Sequence, residues 1–155
     1  VFFANNQLLF RSENISFYTR LLEGNYPDTD RLIPTEFSSV VTFNTNNLRH
    51  AMERSRLLSN ATQNGTVKLE IVKGIVSAHV HSPEVGRVNE EIDTENVSGE
   101  DLTISFNPTY LIEALKAVDS EQVTISFISA VRPFTLVPSE DAENFIQLIT
   151  PVRTN

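Results

Sequence analysis

Short segments in which apolar and polar residues alternate recur along the chain, and they limit its possible folds more than any other feature. Such segments occupy residues 67–71, 102–106, 123–127, 134–137 and 145–149. A period of two places alternate side chains on opposite faces, as in strands that are buried on one side. Asn64-Gly65 and Lys73-Gly74 supply turns that accept positive φ. The sequence therefore predicts a β-rich protein, in which residues 7–22 add one or two further strands.

The first of two segments with helical periodicity spans residues 44–60, with Asn44 or Thr45 as its N-cap. Steps of about 100° per residue collect the apolar and small side chains on one face. The predicted buried residues are Leu48, Ala51, Met52, Ser55, Leu58 and Ser59. Leu57 falls on the opposite face. It is either a single exposed leucine or part of a partner surface.

The second helical segment runs from Pro108 to about residue 118. Asn107 is its predicted N-cap, and Pro108 occupies the first helical position, where a missing N–H group costs nothing. The predicted buried residues are Tyr110, Leu111, Ala114, Leu115 and Val118. The order of strand, helix, strands, helix and strands predicts an α+β fold, with antiparallel sheets and both helices packed on one side.

Charge is unevenly distributed over a chain whose formal net charge is −8. Residues 84–101 contain seven acidic residues and one basic residue, Arg87, whereas the first predicted helix carries Arg49, Arg54 and Arg56. Phosphate binding requires basic side chains, so any contact with nucleic acid would involve this helix and would be independent of sequence. The chain has no cysteine, which excludes disulfides and thiolate metal sites and suits a cytoplasmic protein.

Two histidines offer the main alternative, a metal-dependent enzyme. His79 and His81 share one face of a predicted strand, and two histidines with a carboxylate can hold a metal. Glu90 and Glu91 are poor candidates for paired acid–base catalysis, because neighbouring residues of a strand point to opposite faces. A third hypothesis, a secreted adhesion domain, follows from Asn-x-Ser/Thr sequons at Asn14, Asn60, Asn64 and Asn96.

Four blocks of sequence resemble bacterial sliding DNA clamps, the β subunit of DNA polymerase III. Residues 24–28 (Gly-Asn-Tyr-Pro-Asp), followed by 31–34 (Arg-Leu-Ile-Pro), resemble the linker between the second and third clamp domains. Residues 56–60 and 106–111 resemble the end of the first helix and the start of the second helix of the third domain. Residues 147–153 (Gln-Leu-Ile-Thr-Pro-Val-Arg) are similar to the clamp C-terminus.

The resemblance implies a DNA-clamp fold, with residues 1–33 as the end of the second domain and the linker, and 34–155 as the third domain. It also implies a processivity factor without catalytic activity or cofactor. Two full-length subunits would form a ring around duplex DNA. The ring would hold the DNA polymerase III α subunit, the clamp loader and other proteins that carry a clamp-binding motif.

The resemblance further assigns residues to three surfaces. The peptide-binding groove comprises Pro27, Arg31 and Leu32 on one wall and Leu148, Ile149, Thr150, Pro151, Val152 and Arg153 on the other, with Pro133 at its border. A loop of the second domain that completes the family's groove is absent, so about half a site is expected. The DNA-facing residues are Arg49, Arg54, Arg56 and Lys116. The dimer interface comprises Leu57, Leu58, Glu90 and Glu91, with Leu57 as the main contact, and the chain alone is expected to be monomeric.

Overall fold

Two units make up the described part of the chain, which comprises residues 1–25, 28–29, 31–59, 65–82 and 86–153. The structure is a computed structural model. Its contacts divide the chain into Val1–Leu32 and Ile33–Asn155. Neither of the helices described in it is long and apolar enough to cross a membrane.

The first unit is a three-stranded antiparallel sheet. Its strands are β1 (Phe2–Ala4), β2 (Gln7–Ser12) and β3 (Ile15–Arg20), in the order β1-β2-β3. Residues 7–22, where one or two strands are expected, contain β2 and β3. Large apolar side chains of this sheet, among them Phe3, Ile15 and Phe17, are exposed within the chain. Among the described residues of this unit, no apolar side chain is fully buried.

The second unit contains two antiparallel sheets and two helices in its described residues. Its elements are β4 (Ser39–Asn44), α1 (Thr45–Ser59), β5 (Val67–Val72), β6 (Ile75–Ser82), β7 (Gly86–Glu91), β8 (Asn96–Gly99), β9 (Leu102–Phe106), α2 (Pro108–Ala117), β10 (Gln122–Phe127), β11 (Phe134–Pro138) and β12 (Gln147–Ile149). One sheet has the strand order β12-β11-β10-β4-β8, and the other has the order β7-β6-β5-β9. The antiparallel pairing and the two helices confirm the predicted α+β class.

The core of the second unit is built from the inward faces of these elements. The helices pack against each other, and α1 also packs on β6. Phe134 on β11 lies with its ring centroid 5.1 Å from that of Phe106 and 5.2 Å from that of Phe127. Because Phe106 belongs to the four-stranded sheet and Phe127 to the five-stranded sheet, Phe134 joins the two sheets through aromatic contacts.

Helix α1 begins and packs as its sequence predicts. Oδ1 of Asn44 accepts hydrogen bonds from the backbone N–H groups of Asn46 and Asn47, both at 3.1 Å, which makes Asn44 the capping residue. The core-facing residues are Thr45, Leu48, Ala51, Met52, Ser55 and Ser59, whereas Leu58 is half-buried against the core. Leu57 is 73% exposed, which confirms that it points away from the core.

Helix α2 has the predicted cap but not the predicted buried face. Oδ1 of Asn107 accepts a hydrogen bond from the N–H group of Thr109 at 2.9 Å, and Pro108 is the first helical residue. Tyr110 is 58% exposed, so its predicted burial is wrong, and Val118 is half-buried beyond the helix end. The buried residues are Pro108, Leu111, Ile112, Ala114 and Leu115. These buried residues form one face of the helix, and Tyr110 lies on the face that points away from the core.

The strands that the alternation misses depend on close packing rather than on a clear local pattern. β8 pairs with β4, and a Cβ atom on Gly99 would lie only 2.0 Å from the carbonyl oxygen of Ser38. Only glycine permits this approach, which also requires a φ of +100° at Gly99.

β12 is shorter than the predicted strand over residues 145–149. The predicted turn at Lys73-Gly74 is present, with both residues at positive φ, whereas Asn64 lies outside the described residues.

Candidate functional site

The C-terminal segment is held by both sheets of the second unit. β12 pairs with β11, with Ile149 opposite Phe134 and Leu148 opposite Thr135. The chain then leaves the sheet, and the N–H group of Val152 donates a hydrogen bond of 2.7 Å to the carbonyl oxygen of Ser105 on β9. Since β9 belongs to the other sheet, residues 150–153 are fixed at two points, which gives this wall of the predicted groove a defined backbone.

A cavity of about 340 Å³ lies between α2 and this segment. It is lined by Tyr110, Glu113, Ala114, Ala117, Phe145, Gln147, Leu148, Ile149 and Thr150. Three of these, Leu148, Ile149 and Thr150, are groove residues predicted from the sequence. The volume falls at the lower end of the range for ligand sites, and the mixture of apolar and a few polar side chains is typical of them.

The lining residues on α2 were missed by the sequence prediction. Tyr110 was assigned to the core, although a helical stripe starting at Pro108 would have placed it on the open face. Glu113 is exposed and forms no ion pair with any described residue. No local pattern predicts that α2 faces β12, because the two elements are separated by β10 and β11 in the chain.

Of the remaining predicted groove residues, Pro133 lies in the second unit, and Arg31 and Leu32 lie in the first. Pro133 is half-buried and immediately precedes Phe134, so it lies one residue beyond the last β11–β12 pair, next to the position of Thr150. Arg31 and Leu32 are exposed in the first unit, where Nε of Arg31 lies 3.0 Å from Oδ2 of Asp28. Pro27 lies outside the described residues.

The predicted DNA-facing residues have different surroundings. Arg49 and Lys116 line a crevice of about 300 Å³ between the start of α1 and the end of α2, together with Asp119 and Glu121. Nη2 of Arg49 donates to Oδ1 of Asn46 at 3.1 Å. The two basic groups are therefore close to two acidic ones, which lowers the net positive charge of the crevice. Arg56 is half-buried on α1.

Arg54 on α1 is hydrogen-bonded to Glu90 on β7. Its Nε atom donates to both carboxylate oxygens of Glu90, at 3.1 and 3.2 Å, and its Nη2 atom also donates to Oε1 of Glu90. This hydrogen bonding raises the pKa of Arg54 above its ordinary value. The pair joins a predicted DNA-facing residue to a predicted interface residue within one chain.

The predicted interface residues lie on α1 and on the edge strand β7. Glu90 is half-buried and shares a side of the sheet with Arg54, whereas Glu91 is exposed on the opposite face, as the strand period predicts. β7 is the last strand of its sheet in the described structure, so one of its edges is unpaired. Leu57 provides the apolar side chain of this region, and Leu58 packs inward.

The two histidines of the alternative hypothesis share a face of β6, as predicted. Nδ1 of His79 lies 2.8 Å from Oδ1 of Asn89, and its Nε2 lies 3.1 Å from Oε2 of Glu70 without hydrogen-bond geometry. Glu70 also accepts from Nζ of Lys68 at 2.6 Å, and this contact lowers the pKa of Glu70. Within the described ranges, no three His, Cys, Asp or Glu side chains are grouped so that they could hold a metal.

Comparison with known proteins is consistent across sequence and structure. A family model described as "DNA polymerase III beta subunit, C-terminal domain" matches residues 30–153. The chain is 80% identical over 155 residues to the beta sliding clamp of Streptococcus pneumoniae serotype 4, and 53% identical over 157 residues to that of Lactococcus lactis. In both cases the match includes 100% of this chain but 41% of the relative's length.

Solved structures agree with these relatives. The crystal structure of the DNA polymerase III beta chain from Streptococcus pneumoniae matches with a TM-score of 0.89 and 80% identity, over 99% of this chain and 41% of that one. The sliding clamp from Bacillus subtilis matches with a TM-score of 0.84 and 38% identity, over 99% and 40% of the two chains. Both the resemblance and the predicted DNA-clamp fold are thus confirmed, and the chain belongs to the family of the DNA polymerase III beta subunit.

Proposed function

We propose that this chain is part of a sliding clamp, a processivity factor that encircles duplex DNA and tethers DNA polymerase III and other proteins through a peptide-binding groove. The observation that carries this proposal is 80% identity to a beta sliding clamp over all 155 residues. The clamp acts by topological linkage and changes no covalent bond. The metal-dependent alternative at His79 and His81 has no support from these relatives.

The chain contributes the third clamp domain and the end of the second. Residues 1–33 would form the end of the second domain with the linker, and residues 34–155 would form the third domain. The chain spans 41% of the length of the relatives that it matches, so the ring and its central hole require the remaining domains. Its location in the cytoplasm stays a prediction.

The cavity between α2 and β12 is proposed as the part of the peptide groove that this chain supplies. Leu148, Ala114 and Tyr110 offer apolar surface to Leu and Phe anchors of a partner peptide. The hydrogen bond from Val152 to Ser105 supports this role, because a wall that is already ordered loses less entropy on binding. Arg31 and Arg153 are proposed to donate hydrogen bonds to carbonyl groups of the peptide.

The helices are proposed to face DNA, with phosphate groups as the only contacts. Arg49, Arg56 and Lys116 are the residues best suited to this role. Arg54 contributes less, because Glu90 already compensates much of its charge. The overall negative charge of the chain would repel DNA from its other surfaces.

Ring closure is proposed to use Leu57, Leu58, Glu90 and Glu91 against the first domain of a second subunit. The exposure of Leu57 supports a contact at this point, since an apolar side chain on a polar helix face gains free energy from burial. The unpaired edge of β7 would allow the sheet to continue across the interface.

The peptide groove can be tested by fluorescence anisotropy with a labelled peptide that contains one Leu and one Phe anchor. The wild-type chain should bind this peptide weakly, because it spans 41% of the relatives' length and the resemblance assigns part of the groove to a second-domain loop outside that match. Leu148→Asp should weaken binding about tenfold or more, since about 1.4 kcal/mol corresponds to a factor of ten and a buried charge costs at least that much. Arg153→Ala should weaken it less.

Ile75→Asp is the matched control for this experiment. Ile75 is an exposed apolar residue on β6 and does not line the cavity, so the same chemical change there should leave peptide affinity unaltered. If Leu148→Asp and Arg153→Ala both bind the peptide as the wild type does, the C-terminal segment is not part of the groove.

A further inference from the structure

Among the described residues that line the cavity between α2 and β12, Glu113 is the one charged residue. It lies one helical turn after Tyr110 and next to Ala114, on the exposed side of α2. Lys116 is three residues away on the same helix, but the two form no ion pair in the described structure. The carboxylate is therefore available to a ligand that occupies the cavity.

The segment that leads into Phe145 carries further negative charge. Residues 139–144 contain Glu140, Asp141 and Glu143 and lead directly into Phe145, which lines the cavity. Arg153 follows three residues after Thr150 and is exposed. Along the sequence of this segment, charge therefore changes from acidic before Phe145 to basic at Arg153.

The small residues beside Glu113 leave room for a long side chain. Ala114 and Ala117 line the cavity without filling it, and Phe145 adds apolar surface. Lysine and arginine suit such a place, because their methylene stems pack on apolar surface while the charged head reaches a carboxylate. An acidic side chain would meet Glu113 with charge of the same sign.

We propose that Glu113 gives the groove a charge preference and selects partner peptides that carry Lys or Arg beside their apolar anchors, at the α2 end of the cavity. This proposal rests on the proposed peptide-binding function and specifies the class of peptide. The attraction between exposed charges is small, so Glu113 discriminates between peptides and contributes little to the total affinity.

Three labelled peptides test the preference. They share one Leu and one Phe anchor and differ only in one flanking residue, which is Lys, Gln or Glu. Fluorescence anisotropy with the wild-type chain at low ionic strength should rank them Lys, then Gln, then Glu, with about two- to fivefold in affinity per step. High salt should reduce the differences in affinity between the three peptides, because screening weakens interactions between exposed charges.

Variants at residue 113 separate this role from a general charge effect. Glu113→Gln should give the three peptides nearly equal affinities, and Glu113→Lys should reverse their order. Glu121→Gln is the matched control, because it removes the same charge from an exposed residue that does not line the cavity. It should leave the wild-type ranking unchanged.

Three results overturn the proposal, and they distinguish a failure of the charge preference from a failure of the groove. If the wild-type chain binds all three peptides equally, or if Glu113→Gln keeps the wild-type ranking, the charge preference is wrong while the groove stands. If the wild-type chain binds none of the peptides at millimolar concentration, the proposed groove fails and the charge preference fails with it.

Discussion

Arg54 makes a contact in the fold that its sequence context does not suggest. Its position on the basic face of α1 predicts contact with DNA, but in the fold its guanidinium group donates to Glu90 on β7. Hydrogen bonding to Glu90 raises the pKa of Arg54 above its ordinary value. The pair links α1 to the edge strand, and an exposed pair of this kind contributes about 0.2–1 kcal/mol.

A double-mutant cycle with Arg54→Met and Glu90→Gln tests this pairing. The coupling free energy, from urea unfolding at low salt, should be about 0.2–1 kcal/mol and should decrease in high salt, where charges are screened. Arg56 and Glu91 provide the control cycle, since no ion pair joins them in the described structure. If the coupling free energy is no larger than that of the control pair, Arg54 and Glu90 do not interact, and Arg54 remains available to contact DNA.

At the scale of elements, α2 determines the geometry of the candidate groove. Its start is set by the hydrogen bond from Thr109 to the side chain of Asn107 and by Pro108 at the first position. Tyr110 and Glu113 follow within the first two turns and line the cavity. The cap therefore orients both side chains relative to β12.

Removal of this cap should affect stability and binding together. Asn107→Ala should lower the free energy of unfolding by about 1 kcal/mol, because the N–H group of Thr109 loses its acceptor. Peptide affinity should fall as well, since the first turn of α2 frays. Asn107→Ser, which can still cap the helix, should retain most of both quantities. Equal unfolding free energies for Asn107→Ala and the wild type in urea denaturation would contradict this account.

At the scale of the whole molecule, the chain supplies one side of the proposed contacts with a partner peptide, with DNA and with a second subunit. The described residues form two units, and large apolar side chains of the first sheet are exposed within this chain. The family resemblance places the partner of Leu57 in the first domain, which lies outside the 41% of the relatives' length matched here. The isolated chain should therefore be monomeric.

Light scattering tests the assembly directly. The 155-residue chain should have the mass of one copy, whereas the full-length clamp should have the mass of two. Leu57→Asp in the full-length clamp should weaken the dimer tenfold or more, because a carboxylate would lose hydration in an apolar contact. Ile75→Asp should leave the dimer intact. A full-length Leu57→Asp protein that stays dimeric at nanomolar concentration would remove Leu57 from the interface.

Both helix caps, most strand positions and the outward side chain of Leu57 could be predicted from the amino-acid sequence by itself. These features depend on residues within one helical turn or two strand positions, so local periodicity and capping chemistry determine them. The family resemblance also rests on sequence, through residues 24–34 and 147–153 in particular. The predicted burial of Tyr110 was wrong, because the buried face of α2 is the stripe that starts at Pro108 and includes Ile112.

Only the tertiary structure decided which of these residues meet. The cavity joins α2 to a strand more than thirty residues later in the chain, and the contact of Arg54 with Glu90 spans 36 positions. The hydrogen bond from Val152 to Ser105 likewise connects edges of two different sheets. Such contacts depend on how the sheets and helices pack together, and no local pattern carries that information. For this reason, Glu113 became a candidate for selecting partners only once α2 and β12 were seen to enclose one cavity.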